Sequence, residues 1–280
     1  MDKTTRRRLL AATGALSVGA LAGCSGGRGD EDGQTLTATT NGTTGTATTA
    51  RTTAQTTTAT TDETTDETVE DSDDYQLQTA SELRAPQDEY EDVPIPEAPG
   101  RHAYATMGDG RGPTATVFGN WKCPYTQEFV LQHLPRIIEK YVRPGDLTVR
   151  FRALSYQNGD PFLGADAPRA ARAGLTVWHR DPDAFWRYFG TAFLNQPQER
   201  YEWATTEQLV EMATAAGVDE TNEVALEIKD GAHADAVHET VDAAARAGVT
   251  TVPRVVVNGE VTAPTVAYEE TKNALDAVVR

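Results

Sequence analysis

Residues 119–129 read GNWKCPYTQEF, and Cys123 within this stretch is one of two cysteines in the 280-residue chain. Residues 114–118 before it (TATVF) form a strand-like run that follows the glycine-rich turn GDGRG. After it, apolar side chains recur at the spacing of one helical face: Val130, Leu134, Ile137, Ile138 and Tyr141. The sequence therefore predicts that Cys123 lies at the junction of a strand and a helix.

This predicted position of Cys123 has a chemical consequence. Unpaired N–H groups and the helix dipole stabilise negative charge at the start of a helix, which favours the thiolate, the reactive form of cysteine. Pro124 suits the first turn of a helix, while Lys122 either adds a positive charge or points into solvent. The pattern predicts a nucleophilic Cys123. The competing interpretation is a small apolar core residue, which is how most lone cysteines behave.

The rest of the domain has the pattern of an α/β chain. Pro135 is expected to bend the helix after Cys123 because it lacks a backbone donor, and Thr205 with Gln208 forms a capping box. The predicted order along the chain is a hairpin of residues 102–107 and 114–118 across GDGRG, the helix after Cys123, a strand at 147–153, four or five helices within 166–247, a hairpin at 254–261 and a closing helix at 268–279.

Two segments resemble the DsbA-like branch of the thioredoxin superfamily. Residues 118–126 (FGNWKCPYT) look like its active-site segment, and residues 248–253 (GVTTVP) look like its second signature near the C-terminus. The resemblance covers about residues 101–280 and implies a thioredoxin-like fold with an inserted helical domain at about 160–247. It also implies that Pro253 is cis and packs against the active-site thiol. The backbone of Val252 would then pair with an extended substrate segment.

The resemblance also implies the residues of a site. The expected catalytic residues are Cys123, Pro124, Thr126 and Pro253, and the expected substrate contacts are Val252, Trp121 and Tyr125.

Thr126 stands where family members that oxidise substrates carry a second cysteine, so Cys123 cannot form a disulfide within the site. What remains is exchange through mixed disulfides with other molecules, of the isomerase or reductase type. In this interpretation Thr126 donates a hydrogen bond to the thiolate of Cys123. The alternative is a catalytically inactive module that binds extended peptides beside Pro253.

No cofactor is expected, and five scattered histidines without a cysteine-rich cluster argue against a metal site. The expected partners are cysteine-containing extracytoplasmic proteins and a thiol or redox partner. A net charge of −17 disfavours nucleic acid, whose phosphates attract Lys and Arg. An acid-rich chain with 5 Lys against 20 Arg resembles proteins of haloarchaeal type. An ordinary acidic protein is the alternative.

The first 23 residues have the features of an export signal: a basic start, an apolar stretch and a cleavage motif. Residues 5–10 (TRRRLL) resemble a twin-arginine signal, and residues 21–24 (LAGC) resemble a lipobox that would leave a lipidated Cys24. A retained membrane anchor is the alternative, but the apolar run is shorter than the roughly 20 residues of a spanning helix. The mature protein is expected on the outer face of the cytoplasmic membrane, lipid-anchored, or secreted.

Residues 24–100 are predicted to form a disordered linker. Threonine supplies 19 of the 34 residues from Thr35 to Thr68, and the following segment is acidic and contains proline. Such a composition cannot bury enough apolar surface to offset the chain entropy lost on folding. The folded domain is therefore expected to span residues 101–280.

Overall fold

The computed structural model describes residues 75–279. The predicted signal, Cys24 and the threonine-rich stalk lie outside the described residues. Within residues 75–279, no helix is both long and apolar enough to cross a membrane.

The centre of the domain is a five-stranded sheet with the strand order β1-β3-β2-β6-β7. Strand β2 runs parallel to β3, and the other neighbouring strands are antiparallel. Strands β4 and β5 form a separate two-stranded hairpin. The strands are β1 (Thr106–Met107), β2 (Thr114–Gly119), β3 (Thr148–Ala153), β4 (Tyr156–Gln157), β5 (Asp160–Pro161), β6 (Arg254–Val257) and β7 (Glu260–Thr262).

The predicted hairpin across GDGRG is wrong. Strand β1 pairs with β3, with Thr106 opposite Arg150, rather than with β2. Strand β2 uses one edge for a six-residue parallel ladder with β3 and the other for β6, so no edge is left for β1. The glycine-rich turn therefore carries the chain past β3 instead of closing a hairpin.

The helical segment after Cys123 alternates between α-helical and π-helical turns. It consists of α1 (Pro124–Glu128), a π-helical turn (Phe129–His133), α2 (Leu134–Ile137) and a second π-helical turn (Ile138–Val142). The predicted apolar face is confirmed, because all five of its side chains are at most 2% exposed. Pro135 lies in α2, directly after a turn in which the Leu134 N–H donates to Phe129 O, so the regular helical ladder is interrupted there.

Five helices lie between β5 and β6, in agreement with the predicted helical insertion. Asp181 caps the second of them by accepting a hydrogen bond from Ala184 N at 3.0 Å. Thr205 caps the third by accepting from Gln208 N at 3.1 Å, as its sequence pattern predicts. The helices are α3 (Ala167–Arg180), α4 (Pro182–Leu194), α5 (Thr206–Ala215), α6 (Thr221–Lys229) and α7 (Ala234–Arg246), and the closing helix is α8 (Tyr268–Val278).

Residues 75–100, which the sequence analysis assigned to the linker, pack against the domain. Tyr90 is 1% exposed, and its hydroxyl donates to Val130 O at 2.6 Å. Gln78 N donates to the Gln208 side chain at 2.8 Å. Two short 3-10 helices, Asp88–Tyr90 and Pro99–Arg101, belong to this segment. The packing of residues 75–100 could not be predicted from their polar composition, because a few buried side chains such as Tyr90, rather than a periodic apolar pattern, attach the segment to the core.

Candidate functional site

Cys123 lies between β2 and α1, as predicted. It is the N-cap residue of α1 in extended conformation (φ −79°, ψ 122°), and Pro124 occupies the first helical position. The Cys123 N–H donates to Asn120 O at 3.1 Å, which closes a tight turn before the helix. The side chain is 4% exposed, so the sulfur sits just below the surface.

The sulfur of Cys123 faces the segment that precedes β6. Its Sγ lies 3.8 Å from Val252 O, and the Val252–Pro253 peptide bond is cis, as the family resemblance implied. Around the sulfur is a small apolar cluster formed by Phe118, Leu154, Ala244, Val249 and Val252. The sheet thus brings together two segments that are 129 residues apart in sequence.

Thr126 occupies the position of the missing second cysteine and is fully buried. Its Oγ1 accepts a hydrogen bond from Asn120 N at 3.3 Å. The partner of this hydroxyl in the structure is therefore the backbone of the turn, whereas the sequence analysis expected the Cys123 sulfur.

Lys122 takes neither of the two positions considered from sequence. Its side chain is 1% exposed and forms an ion pair with Asp166, whose side chain is also 1% exposed. The Lys122 ammonium also donates to Tyr201 O at 2.8 Å, and Asp166 accepts from Ala204 N at 2.8 Å. The positive charge is therefore matched by a buried carboxylate at the start of the helical insertion.

Trp121 does not form a substrate-contacting surface. It is 2% exposed and stacks on Phe193, with ring centroids 5.2 Å apart and planes 13° apart. It also meets the rings of Phe151 and Phe189 edge-on.

Tyr125 lies on the surface, as expected of a substrate contact, and is 58% exposed. It lines an open groove of about 230 Å³ with Thr251, Pro253, Thr265 and Val266, which we call the proline groove. Thr265 Oγ1 donates to Tyr125 O at 3.0 Å and so fixes the loop after β7 to the start of α1. Val266 is 78% exposed. No sequence pattern points to Thr265 or Val266, because their position in the groove depends on the loop after β7 folding back.

A second groove of about 210 Å³ lies beside Leu154, Tyr156, Val241, Val249 and Thr250. Gln157 Nε2 donates to Thr250 O at 3.0 Å and links the β4–β5 hairpin to the segment before Pro253. Since Leu154 and Val249 belong to the apolar cluster that contains Cys123, the thiol lies close to both grooves.

Comparisons with known proteins agree with this geometry. The family model described as Thioredoxin matches residues 105–277. The chain is 29% identical over 183 residues to "Probable disulfide bond formation protein D" of Bacillus cereus, covering 62% of this chain and 79% of that protein. It is 26% identical over 171 residues to "Disulfide bond formation protein D" of Bacillus subtilis, covering 61% and 74%.

Two solved structures share the fold. Oxidised BdbD from Bacillus subtilis superposes with a TM-score of 0.58 at 24% identity, covering 67% of this chain and 97% of that chain. DsbA from Chlamydia trachomatis superposes with a TM-score of 0.54 at 21% identity, covering 62% and 90%. The helical insertion predicted from sequence is therefore part of a known architecture.

Proposed function

Because the chain belongs to the thioredoxin family, we propose that it is a thiol–disulfide exchange protein that works with one cysteine, Cys123. The observation that supports this most strongly is the position of the Cys123 sulfur, 3.8 Å from Val252 O and next to a cis Pro253. The relatives named disulfide bond formation proteins support the same class of chemistry.

The proposed reaction is an exchange between one thiolate and one disulfide. The Cys123 thiolate attacks one sulfur of a substrate disulfide, the substrate S–S bond breaks, and the other substrate cysteine leaves as a thiolate. A mixed disulfide now joins Cys123 to the substrate. A further substrate thiolate attacks the substrate sulfur of this bond, which forms a new substrate disulfide and regenerates the Cys123 thiolate. Two exchanges therefore rearrange disulfides without net oxidation or reduction.

Thr126 determines which of the exchange outcomes is available. A second cysteine at this position would attack the Cys123 sulfur of the mixed disulfide, release the substrate as a thiolate and form an internal disulfide, so that the substrate gains the two electrons that the protein loses. Threonine has no sulfur, so the mixed disulfide persists until an external thiol resolves it. If that thiol belongs to the substrate, the outcome is isomerisation. If it belongs to a separate dithiol compound, the first thiol of that compound resolves the mixed disulfide and its second thiol completes the exchange. The substrate disulfide is then reduced to two thiols, and the compound's two thiols are oxidised to a disulfide.

The proline groove supplies the place where a substrate chain would lie. Its exposed apolar side chains, Tyr125 and Val266, contact an extended segment, and the Val252 backbone offers hydrogen-bonding groups next to the sulfur. We propose cysteine-containing exported proteins as substrates, with a separate thiol or redox partner. The protein would act outside the cytoplasm, held at the membrane by a lipid on Cys24 after removal of residues 1–23, or secreted.

The test is to trap the mixed disulfide. The whole chain is mixed with a peptide that contains one disulfide, the reaction is stopped with acid, and adducts are located by mass spectrometry. With Cys24→Ser as the background, we expect an adduct on Cys123 that an added thiol removes, and none when Cys123→Ser is added to that background. Adducts that are equally abundant with Cys123→Ser would contradict the proposal.

A second candidate function is binding without catalysis, and the burial of the sulfur favours it. Cys123 is only 4% exposed, whereas the proline groove beside it is open. A peptide-binding module needs the groove and no thiolate. In that case Cys123→Ser would bind an extended apolar peptide as tightly as the parent, while Val266→Asp would weaken binding, and the trapping experiment would give no adduct.

A further inference from the structure

Asn120, which lies three residues before the thiol, is fully buried and makes five hydrogen bonds. Its main chain donates to Thr126 Oγ1 at 3.3 Å and accepts from Cys123 N at 3.1 Å. Its side-chain Oδ1 accepts from Lys122 N at 2.8 Å. Its Nδ2 donates to Leu154 O and to Phe162 O, each at 2.9 Å. Every hydrogen-bonding group of its backbone and amide that faces the site is therefore used.

These bonds fix two different things. The bonds to the backbone of Lys122 and Cys123 hold the turn that presents the sulfur at the start of α1. The two bonds from Nδ2 hold the end of β3 and the chain after β5 against that turn. Leu154 and Phe162, whose side chains we call the wall, belong to or pack against the apolar cluster that contains the sulfur.

The chain that carries the wall needs such a fixed point. Directly after Phe162, Leu163 and Gly164 have left-handed backbone conformations, with φ of 68° and 115°. Leucine rarely adopts this conformation, so the surrounding contacts must impose it. The donation from Asn120 Nδ2 to Phe162 O is a direct contact between this segment and the turn before the thiol, and the donation to Leu154 O joins the end of β3 to the same turn.

We infer that Asn120 is a positioning residue, which fixes Cys123 within its turn and holds the wall over the sulfur. The inference rests on the proposed function, in which Cys123 is the reacting thiol. The side chain at this position must accept one hydrogen bond from Lys122 N and donate two, to Leu154 O and Phe162 O. Among side chains of this length, the asparagine amide supplies one acceptor and two donors. An ionised aspartate keeps the acceptor but loses both donors.

The experiment measures access to the sulfur separately from its ionisation. Alkylation rates of the whole chain are measured with a small reagent, iodoacetamide, and with a bulky one, fluorescein maleimide, using Cys24→Ser as the background. The ratio of the bulky to the small rate is the access ratio. Because both reagents need the same thiolate, its population cancels from this ratio.

Two substitutions at this position give different expectations. Asn120→Ala removes both donations to the wall, and the access ratio is expected to rise about thirty-fold, the factor that two lost hydrogen bonds of ordinary strength give. The access ratio of Asn120→Asp should equal that of Asn120→Ala at pH 8, where the aspartate carboxylate cannot donate a hydrogen bond. Near pH 5, protonation of this buried carboxyl restores one donor, so the ratio should fall several-fold toward the parent's. The Asn120→Ala ratio should stay high at both pH values.

Asn195→Asp is the matched control, because Asn195 also makes three side-chain hydrogen bonds, and their partners, Arg84 N, Arg84 O and Thr191 O, do not belong to the site. Its access ratio should equal the parent's even where its melting temperature falls. Ratios within two-fold of the parent for both Asn120 variants, or an Asn120→Asp ratio that ignores pH, would overturn the inference. Failure of the proposed function would appear instead as absent peptide adducts on the parent chain, while the Asn120 variants still show the raised access ratio.

Discussion

The buried ion pair beside the thiol gives the prediction that follows most directly from the structure. Lys122→Met keeps a side chain of similar length but removes the ammonium that faces Asp166. The carboxylate, 1% exposed, then keeps only its bond from Ala204 N, and Tyr201 O loses its donor. Removing one partner of such a pair is expected to lower the free energy of unfolding by about 3–5 kcal/mol.

A second substitution isolates the charge. Adding Asp166→Asn to Lys122→Met removes the unpaired charge but keeps an oxygen that can accept from Ala204 N. The double variant is therefore expected to recover about 2 kcal/mol relative to Lys122→Met alone. Lys272→Met is the control, since Lys272 is 34% exposed and its pair with Asp276 should contribute less than about 1 kcal/mol.

The assay is urea unfolding followed by tryptophan fluorescence, with melting temperatures as a check. For a domain of this size, each kcal/mol shifts the melting temperature by about 2–4 °C, so Lys122→Met should lower it by roughly 6–20 °C. A loss below about 1 kcal/mol would show that the pair behaves like an exposed one and would contradict this prediction. A double variant as unstable as the single one would also refute it.

Three further predictions concern other parts of the domain. Thr126→Cys should allow the active-site thiol to form an internal disulfide, seen as the loss of both free thiols on oxidation without any adduct; two thiols that stay free would contradict this. Gly174→Ala would place a methyl group too close to the Trp121 ring for an ordinary contact, so despite the better helix propensity of alanine we expect the free energy of unfolding in urea to fall by about 1–2 kcal/mol. Hydrogen bonds from Lys140 and then Tyr141 hold the pKa of Asp276 well below its ordinary value. The stability that the Asp276 carboxylate contributes is therefore present above about pH 4 and is lost as the pH falls further. Asp276→Asn should make the free energy of unfolding less dependent on pH below about pH 4.

The parts of the fold that could be predicted from sequence are those with a local signal. The helical face after Cys123 was recognisable because its five apolar residues repeat at helical spacing, and all are buried. The β6–β7 hairpin was recognisable because Asn258-Gly259 favours that turn. The cis Pro253 could be expected only from the family resemblance, since a Val-Pro bond is usually trans.

The errors arose where distant contacts decide the structure. Strand β1 pairs with β3 because β2 is already occupied on both edges, which no local pattern around GDGRG reveals. Lys122 is expected from sequence either to add a positive charge beside the thiol or to point into solvent, and Trp121 is expected from the family resemblance to contact substrate. Their side chains instead lie buried, the first against Asp166 and the second against Phe193. Asn120 was overlooked because its importance comes from partners up to 42 positions away in sequence.

Disulfide rearrangement by the single thiol is the reaction to measure first. The whole chain is incubated with a small protein whose disulfides are mispaired, without added oxidant, and both native pairing and the number of free thiols are followed over time. If Cys123 exchanges disulfides, native pairing returns faster with the parent than with Cys123→Ser, while the number of free thiols stays constant. Equal rates for the two proteins, or a steady change in free thiols as pairing returns, would contradict the proposed exchange.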